Sequence, residues 1–551
     1  MGVDVTTVLS EGVRTALRTA GLPEPGTVSW EVPRETDHGD YATNLAMLMA
    51  RAMKQSPRKV AEAIRDHLPP IEAVERVEVA GPGFLNVFLT PAWCREALRE
   101  VLTAGEGYGR STLGQGRLVQ VEFVSANPTG PLVIVNARAA AVGDALVRIL
   151  RAVGFDARGE YYINDAGNQF LSLARAMECR LRQALGEDVS LPEGAYPGEY
   201  IIDLARVYLD HHGPEILGSP ETERLDTLGR FAVERIVAEQ RELLRQYGVE
   251  YDVWFSERSL RESGAPEEVI RLLRGRDMAY DSEGAIWFRA TAFGDDKDRV
   301  LVKSDGEVTY FVPDIAYHLN KFRRGFTKVI DLWGPDHHGY VPRMKAAMRA
   351  LGTPEDALEI LIVQVVRLLR SGELVKMSKR RGEFTTMAEL LEEVGRDAAR
   401  FTFLTRRHDS PLDFDLDLVT RQTSENPVYY VQYAHARVAS IFQFLRERGL
   451  GEPEWERVDL GPLVLPEELD LIKRLLQFPN VVEGAARAYE PHRVAYYLQE
   501  LAAAFHPYYN RHRVVTDDRA LTAARLALVR GVGQVIKSGL GLLGVSAPEK
   551  M

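Results

Sequence analysis

The stretch from residue 118 to residue 153 constrains the fold more than any other part of this chain. Residues 118–124 are short, β-rich and mostly apolar, as expected for a strand buried in a parallel sheet. A polar turn follows at 125–131, and a helical pattern then runs from 137 to 153 and ends at Gly154. Such a unit places polar groups at the carboxyl end of a strand and beside a helix N-terminus, where phosphates bind. The pattern predicts an α/β protein with a nucleotide site at this turn.

The regions on either side of this unit have their own patterns. Residues 1–110 contain helical patterns followed by strand-like segments at 77–80 and 84–89, joined by a Gly-Pro-Gly turn. They predict a small α/β domain. Residues 417–551 are helical throughout and predict a bundle of ordinary domain size. Three domains agree with the two to four expected for 551 residues.

The middle region, 111–416, predicts the main α/β domain. A helix-rich segment at about 170–275 interrupts its alternation of strands and helices, and we interpret it as an insertion. Further strand-like segments are predicted at 285–289, 299–303, 328–333 and 360–365. A GxGxxG match at 539–544 has no strand before it, and we interpret it as a helix end with capping glycines.

Composition excludes several classes of protein. Apolar residues make up 45% and charged residues 27%, which is typical of a globular chain, and no apolar run reaches the roughly 18 residues of a membrane span. The first residues are interrupted by acids, so no signal peptide is predicted. Cys94 and Cys179 are too few and too far apart for a disulfide framework or a zinc site, which fits a reducing cytoplasm. A net charge of −11 argues against a general nucleic-acid coat and leaves room for a local basic face.

One short basic motif suggests nucleotide chemistry. Lys376-Met377-Ser378-Lys379-Arg380 offers cations and a hydroxyl in what we predict to be a loop. Such groups can hold a triphosphate while its α-phosphorus is attacked, by stabilising the developing negative charge. The alternative is a solvated charge run. The sequence has no P-loop, so ATP would be held by another device.

Acidic and amide side chains near predicted strand ends suggest a cationic ligand. Glu122 lies near the end of the first core strand and Asn127 in the turn after it, while Tyr310 and Asp314 flank Pro313. A guanidinium pairs bidentately with carboxylates, so two such acids suit it. Alternatively, Glu122 is satisfied by turn amides, and Asp314 is a carboxylate in the first turn of a helix.

Two further clusters have competing interpretations. Asp336-His337-His338 suggests metal at first sight, but adjacent histidines point apart and no third ligand is suitably spaced, so contacts to substrate or ribose are favoured. Residues 508–513 combine aromatics with cations, which suits unpaired bases. Their alternative is an aromatic helix end with a solvated tail.

Taken together, these segments resemble arginyl-tRNA synthetases of the bacterial type, and the resemblance covers essentially the whole chain. Residues 38–44 and 81–84 are similar to the N-terminal additional domain of that family, and 426–437 to the entry of its anticodon-binding domain. Residues 125–132 are similar to the lead-in of the class I HIGH motif. Family-like motifs also occur at 160–169, 336–340 and 376–380.

The resemblance implies a Rossmann-type parallel-sheet catalytic core at 111–416, an N-terminal α/β domain that contacts the tRNA elbow, and a C-terminal all-helical anticodon-binding domain. It implies a ligase that uses ATP and Mg²⁺ to form arginyl-adenylate and passes the arginyl group to the terminal ribose of tRNA(Arg). A cytoplasmic monomer without a structural metal is expected.

The resemblance also assigns residues. Arginine would be held by Glu122, Ser125, Asn127, Tyr310, Asp314 and His338. ATP would be held by Pro128, Thr129, Gly130, Asp336, His337, Lys376 and Lys379. The catalytic set would be Lys376, Met377, Ser378, Lys379, Arg380 and Asn136. The tRNA would be contacted by Asn426, Tyr433, Arg437, Tyr509, Arg511 and Arg513.

The chain departs from the family at one motif. Where the family has His-Val-Gly-His or close to it, this sequence has Val133-Ile134-Val135-Asn136. Val133 has no donor for phosphate, and Val135 adds a branched side chain where adenine would lie against a glycine backbone; Asn136 keeps a donor. This predicts impaired adenylate formation and leaves a second reading, a synthetase-like protein that binds tRNA or arginine. A different adenylate-forming enzyme without tRNA would leave the terminal domains without a purpose.

Overall fold

The computed structural model of the chain describes residues 5–33, 35–375 and 386–551. Its N-terminal region is a three-stranded antiparallel sheet, in the order β1-β3-β2, packed with helices. The elements are α1 (Val5–Thr19), β1 (Tyr41–Thr43), α2 (Leu45–Met53), α3 (Pro57–Asp66), β2 (Val74–Ala80), β3 (Phe84–Leu89) and α4 (Pro91–Ala104).

Glycine is required in the β2–β3 turn. Gly83 has φ +142°, and a Cβ there would lie 2.8 Å from the backbone of Pro57, which begins α3. The glycine therefore allows α3 to pack against this turn.

The middle region contains most of the strands. They are β4 (Leu118–Glu122), β5 (Asp156–Ile163), β6 (Val253–Ser256), β7 (Ala279–Ser282), β8 (Ala285–Phe288), β9 (Arg299–Val302), β10 (Lys328–Trp333), β11 (Leu358–Ile362), β12 (Val366–Arg370), β13 (Glu373–Leu374) and β14 (Leu412–Asp415). The helices are α5 (Ile134–Ala152), α6 (Gly167–Ala184), α7 (Tyr200–His212), α8 (Glu221–Gln246), α9 (Glu257–Glu262), α10 (Ala265–Gly275), α11 (Phe311–Arg323), α12 (Val341–Ala350), α13 (Met387–Val394), α14 (Arg396–Phe403) and α15 (Leu416–Thr420).

A five-stranded sheet forms the centre of this region, in the order β11-β10-β4-β5-β6 with every neighbouring pair parallel. The predicted strand–turn–helix unit is confirmed as β4 and α5. Helix α5 packs closely on the end of β4, because a Cβ on Gly143 would lie 2.1 Å from the ring of Phe123. The polar turn at 125–131 therefore connects the carboxyl end of β4 to the start of α5, as the sequence predicted.

One prediction about this region needs correction. The segment at 170–275 is not wholly an insertion, because it includes β6, the edge strand of the parallel sheet. The strands predicted at 285–289 and 299–303 are confirmed as β8 and β9, which form with β7 a separate antiparallel sheet in the order β7-β8-β9. Short apolar strands have the same local pattern in either kind of sheet, so the sequence could not separate the two.

The C-terminal region is helical, as predicted. Its helices are α16 (Pro427–Glu447), α17 (Pro466–Ala488), α18 (His492–Arg511) and α19 (Arg519–Leu542). Gly544 follows α19 with φ +68°, which confirms that the GxGxxG match is a helix end. None of the helices in the described ranges is long and apolar enough to cross a membrane.

The chain's last segment is tied into the middle region. Arg400 of α14 is fully buried and donates to the carbonyl of Leu543, to the carbonyl of Tyr247 and to the carboxylate of Asp144 on α5. Ser546 donates its backbone N–H to Asp397 of α14. The end of the bundle is thus anchored on helices α5 and α14 of the middle region.

Candidate active site

A pocket of about 340 Å³ opens beyond the carboxyl ends of β5 and β6. The loop after β5 and the start of α6 form one wall, the first residue of α9 a second, and the N-terminus of α11 a third. It is lined by Tyr162, Asn164, Ala166, Asn168, Gln169, Glu257, Tyr310, Pro313 and Asp314. The predicted Tyr310 and Asp314 therefore meet in one cavity.

Asp314 is a carboxylate without a bound cation. The Tyr340 hydroxyl donates to its Oδ2 at 2.7 Å, and no Lys or Arg of the described residues lies within ion-pair distance. Burial raises the pKa of Asp314 to about 6, although the hydrogen bond from Tyr340 and the nearby His318 oppose the rise; the carboxylates of Glu257 and Glu122 add to it. A cation entering the pocket would reverse that effect.

Glu257 supplies a second carboxylate, which sequence reasoning did not assign. Arg261 donates to its Oε1 at 2.7 Å, the Tyr162 hydroxyl bonds to it, and the Asn164 amide donates to Oε2 at 2.8 Å when oriented to satisfy both its polar atoms. Burial raises the pKa of Glu257 despite Arg261. A local feature of the sequence could have identified Glu257. It directly follows a short apolar strand, at the position where parallel strands present functional groups.

Asp165 holds the two pocket walls together. Its Oδ2 accepts from the Ser256 hydroxyl at 2.6 Å, and its Oδ1 accepts from the backbone N–H of Arg258 at 2.8 Å. The loop after β5 is therefore fixed against the start of α9. This fixes Asn164 and Glu257 relative to each other.

Glu122 lies next to the pocket but is already paired. Lys321 of α11 donates to its Oε2 at 2.5 Å and to Asp331 at 2.8 Å, and Ser125 donates to its Oε1 at 2.8 Å. Burial alone would lower the pKa of Lys321, but Asp331 and Glu122 outweigh it and raise that pKa. The open carboxylate in the pocket is thus Asp314, and binding of arginine by Glu122 stays a prediction.

The turn after β4 is held in an unusual backbone conformation. Val124 has φ +69° and Ser125 φ +39°, which is uncommon for residues other than glycine and strained for a branched one. The Ser125 hydroxyl accepts from the backbone N–H of Tyr162 at 3.1 Å, and the Asn127 amide lies 3.3 Å from that of Asn164. Ser125 and Asn127 are therefore linked to residues that line the pocket.

Two residues of this turn that we predicted to bind ATP, Thr129 and Gly130, accept hydrogen bonds from helices α7 and α8. The Tyr200 hydroxyl donates to the carbonyl of Thr129, and Gln240 donates to the carbonyl of Gly130 at 3.0 Å. Pro128 lies in the same turn. The backbone here is fixed by α7 and α8.

The first turn of α5 presents apolar side chains. Val133 is 41% and Val135 36% exposed, and Asn136 accepts the backbone N–H of Val133 through Oδ1 at 2.8 Å. Asn136 therefore caps its own helix.

Asp336, His337 and His338 lie in a 3₁₀ turn at Pro335–Tyr340 and are exposed. No group of three potential metal ligands occurs within the described ranges. Tyr340, at the end of this turn, reaches the pocket by bonding to Asp314. Lys376, Met377, Ser378, Lys379 and Arg380 lie outside the described residues.

Three of the residues predicted to bind tRNA meet on the helical bundle. The Arg437 guanidinium lies 4.6 Å from the ring centre of Tyr433 and 4.8 Å from that of Tyr509, and it donates to His506 at 3.1 Å. Tyr509 also lines a cleft of about 500 Å³ together with Arg511 and Arg513.

Asn426 differs from the others. It is buried, and its amide donates to the carbonyls of Val419 and Arg421. Its side chain is used within the fold, so the structure gives no support to a direct tRNA contact.

Comparison with known families covers most of the chain. Residues 7–89 match the arginyl tRNA synthetase N terminal domain, residues 228–439 the class I (R) tRNA synthetase catalytic domain, and residues 431–551 the DALR anticodon binding domain.

Whole proteins show the same likeness. The arginine–tRNA ligase of Desulforamulus reducens is 51% identical over 95% of this chain and 93% of its own length. That of Syntrophotalea carbinolica is 52% identical over 97% and 96%. A crystal structure of a Campylobacter jejuni protein, titled as an arginyl-tRNA synthetase, shares 36% identity at a TM-score of 0.77, covering 84% of this chain and 100% of that one. The Thermus thermophilus arginyl-tRNA synthetase, at 24% identity and a TM-score of 0.76 over 99% and 100% of the chains, shares the fold.

Proposed function

Because the chain belongs to the arginyl-tRNA synthetase family, we propose that it is an arginine–tRNA ligase. Likeness to arginine–tRNA ligases along almost the entire chain, at about half of all positions, is the observation that carries this conclusion. The reaction has two steps. The carboxylate of arginine attacks the α-phosphorus of ATP and displaces pyrophosphate, and a hydroxyl of the terminal ribose of tRNA then takes the arginyl group and releases AMP.

The pocket suits the side chain of arginine. A guanidinium has donors in a planar fork that matches carboxylates, and Asp314 offers one without a competing cation. Glu257 stands on the opposite wall, and Tyr310, which is 61% exposed, lies at the pocket's rim. Lys321 already offsets the charge of Glu122, and Arg261 that of Glu257, so the guanidinium is assigned first to Asp314, with Glu257 as a further acceptor in the same pocket.

The other end of arginine then lies toward β4. Glu122, Ser125 and Asn127 follow the carboxyl end of that strand and are linked to the pocket wall through Tyr162 and Asn164. A carboxylate, a hydroxyl and an amide can hold an α-ammonium group. His338 is assigned to the same substrate only by the family resemblance.

ATP, as its magnesium complex, is the second substrate. Pro128, Thr129, Gly130, Asp336 and His337 are assigned to it by the family resemblance, and they follow β4 and β10, neighbouring parallel strands whose carboxyl ends lie at one edge of the sheet. The lysines at 376 and 379 would stabilise charge on the phosphates during the attack. No side chain has to act as a nucleophile.

The terminal regions are assigned to tRNA. Residues 1–110 would contact its elbow, and 417–551 would read the anticodon through the Arg437 cluster, where aromatic rings and cations suit unpaired bases. A monomer working in the cytoplasm fits two free, buried cysteines.

The residues at 133–136 are the only observation that favours a binding protein over a ligase. The comparisons with known proteins add nothing to that alternative. Impaired adenylate formation therefore stays a prediction. It concerns the rate of the first step and does not affect the assignment of the family or of the substrates.

Charging of total tRNA with radiolabelled arginine tests the proposed function directly. The expected result is ATP-dependent charging with arginine and none with lysine. Charging with another amino acid, or none although tRNA and arginine both bind, would contradict it. The latter result, together with absent ATP binding, would identify a binding protein.

A further inference from the structure

Arg138, on the second turn of α5, is fully buried, and among the described residues its hydrogen bonds go to carbonyl groups. Its Nη1 donates to the carbonyls of Gln364 (2.8 Å) and Val365 (3.4 Å), and its Nη2 to those of Arg407 (2.9 Å) and Ser410 (2.8 Å). Burial lowers the pKa of Arg138 to about 10. The nearby charge of Asp409 opposes this effect in part. Burying a cation whose hydrogen bonds within the described ranges go to carbonyls is costly, so a purpose beyond packing is indicated.

The backbone that Arg138 binds lies at the carboxyl edge of the sheet. Residues 363–365 connect β11 to β12, and residues 407–410 precede β14. The two segments also bond to each other, because Gln364 donates its N–H to the carbonyl of His408 at 2.8 Å. Arg138 therefore fixes a joint between the parallel sheet and the small sheet of β12, β13 and β14.

Exposed valines mark both sides of this connection. Val133, the residue before α5, and Val135, in its first turn, are 41% and 36% exposed, and Val365 is 45% exposed, so a ligand can reach both segments. The two segments follow the carboxyl ends of β4 and β11, which belong to one parallel sheet. Nucleotides bind beyond this edge of a parallel sheet, so ATP is the ligand that both segments would face.

We propose that Arg138 is a positioning residue of the ATP site, which holds residues 363–365 in register with the first turn of α5. The inference rests on the proposed function, because that function supplies ATP as the ligand. Arg138 itself touches no substrate. It acts by keeping the first turn of α5 and residues 363–365 at a constant distance from each other.

An arginine is needed because of its geometry. Its fork reaches four carbonyls in two segments, whereas the single ammonium of lysine on a flexible stem cannot span them. A displacement of about 1 Å at a reacting site lowers the reaction rate on the order of a hundredfold. For Arg138→Lys we expect ATP affinity to fall by about tenfold or more, with arginine affinity within about twofold of wild type.

Arg400→Lys is the matched control. Arg400 is also fully buried and also binds carbonyls, those of Leu543 and Tyr247, but it joins α14 to the end of the chain and, through the carboxylate of Asp144, to the middle of α5. Both variants should lower the unfolding midpoint. ATP and arginine affinities are measured by calorimetry at a temperature where circular dichroism shows both variants folded, beside tRNA charging by the wild type.

A weaker affinity for ATP in Arg138→Lys alone supports the inference. Unchanged ATP affinity, or the same loss in Arg400→Lys, overturns it while wild-type charging upholds the proposed function. A wild type that binds no ATP overturns both. Should Arg138→Lys fail to fold, hydrogen exchange on the wild type decides: ATP should protect residues 132–138 and 362–366 together, and protection of only one segment overturns the inference.

Discussion

Replacing Asp314 with asparagine keeps the shape of the side chain and removes the charge that the pocket offers to a guanidinium. Two charge-assisted hydrogen bonds contribute about 1.5–3 kcal/mol each, so roughly 3–6 kcal/mol of binding is at stake. At about 1.4 kcal/mol per factor of ten, kcat/KM for arginine should fall by about 10²–10⁴. The KM for ATP should change little, because Asp314 lies on the arginine side.

The same substitution should stabilise the free protein. The pKa of Asp314 is raised from 3.8 to about 6 by folding, so its ionised form destabilises the fold above pH 6, and that cost is absent below pH 3.8. A shift of this size corresponds to at most roughly 3 kcal/mol. We expect Asp314→Asn to raise the free energy of unfolding near pH 7.5 by about 1–3 kcal/mol in urea titrations.

The pH dependence gives an independent readout. Arginine requires the ionised carboxylate, so wild-type arginine affinity should fall as pH drops through about 6, and Asp314→Asn should show no such step. Asp295 is a matched control outside the pocket, since its pairing with Arg299 lowers its pKa to about 2. Asp295→Asn should lose stability and bind arginine normally. Arginine affinity within threefold of wild type in Asp314→Asn would refute the assignment of the pocket.

Further predictions concern the rest of the machinery. Replacing residues 133–136 with His-Val-Gly-His should raise tRNA-dependent ATP–pyrophosphate exchange by roughly 10²–10³ per restored donor, and a near-normal wild-type rate would show that the valines do not impair the step. Arg437→Ala should weaken tRNA binding about tenfold in filter-binding assays through loss of the cation held between two rings, with arginine affinity unchanged; equal tRNA affinity would argue against this surface. Lys321→Met should lower the free energy of unfolding by about 3–5 kcal/mol, because it leaves Glu122 and Asp331 buried without their cation; a loss under 1 kcal/mol would contradict the ion-pair network.

Local patterns predicted much of the architecture. The apolar run and polar turn before α5 specified a parallel strand and its helix, and the helices of the C-terminal bundle lie where their periodicity placed them. The sheet to which a short strand belongs depends on distant partners, which is why β6 was included in an insertion and why the sequence could not assign β8 and β9 to a sheet.

Only part of the site could be predicted from the sequence, because some of its residues are brought together by the fold. Tyr310 and Asp314 share one helix start, so their proximity follows from the sequence. Glu257 and Tyr340 are contributed by separate loops, and only the fold brings them to the same cavity. The pairing of Glu122 with Lys321 spans 199 positions and leaves no trace in any local pattern.

The anchoring of the last residues on α14 has a practical consequence for handling the protein. A purification tag joined directly after Met551 would start close to Ser546 and Pro548, whose backbone carbonyls accept from Gln432 and His435. Truncating the chain at the end of α19 would remove the carbonyl of Leu543, which accepts a hydrogen bond from the buried Arg400. A fusion at the carboxyl end therefore calls for a flexible spacer.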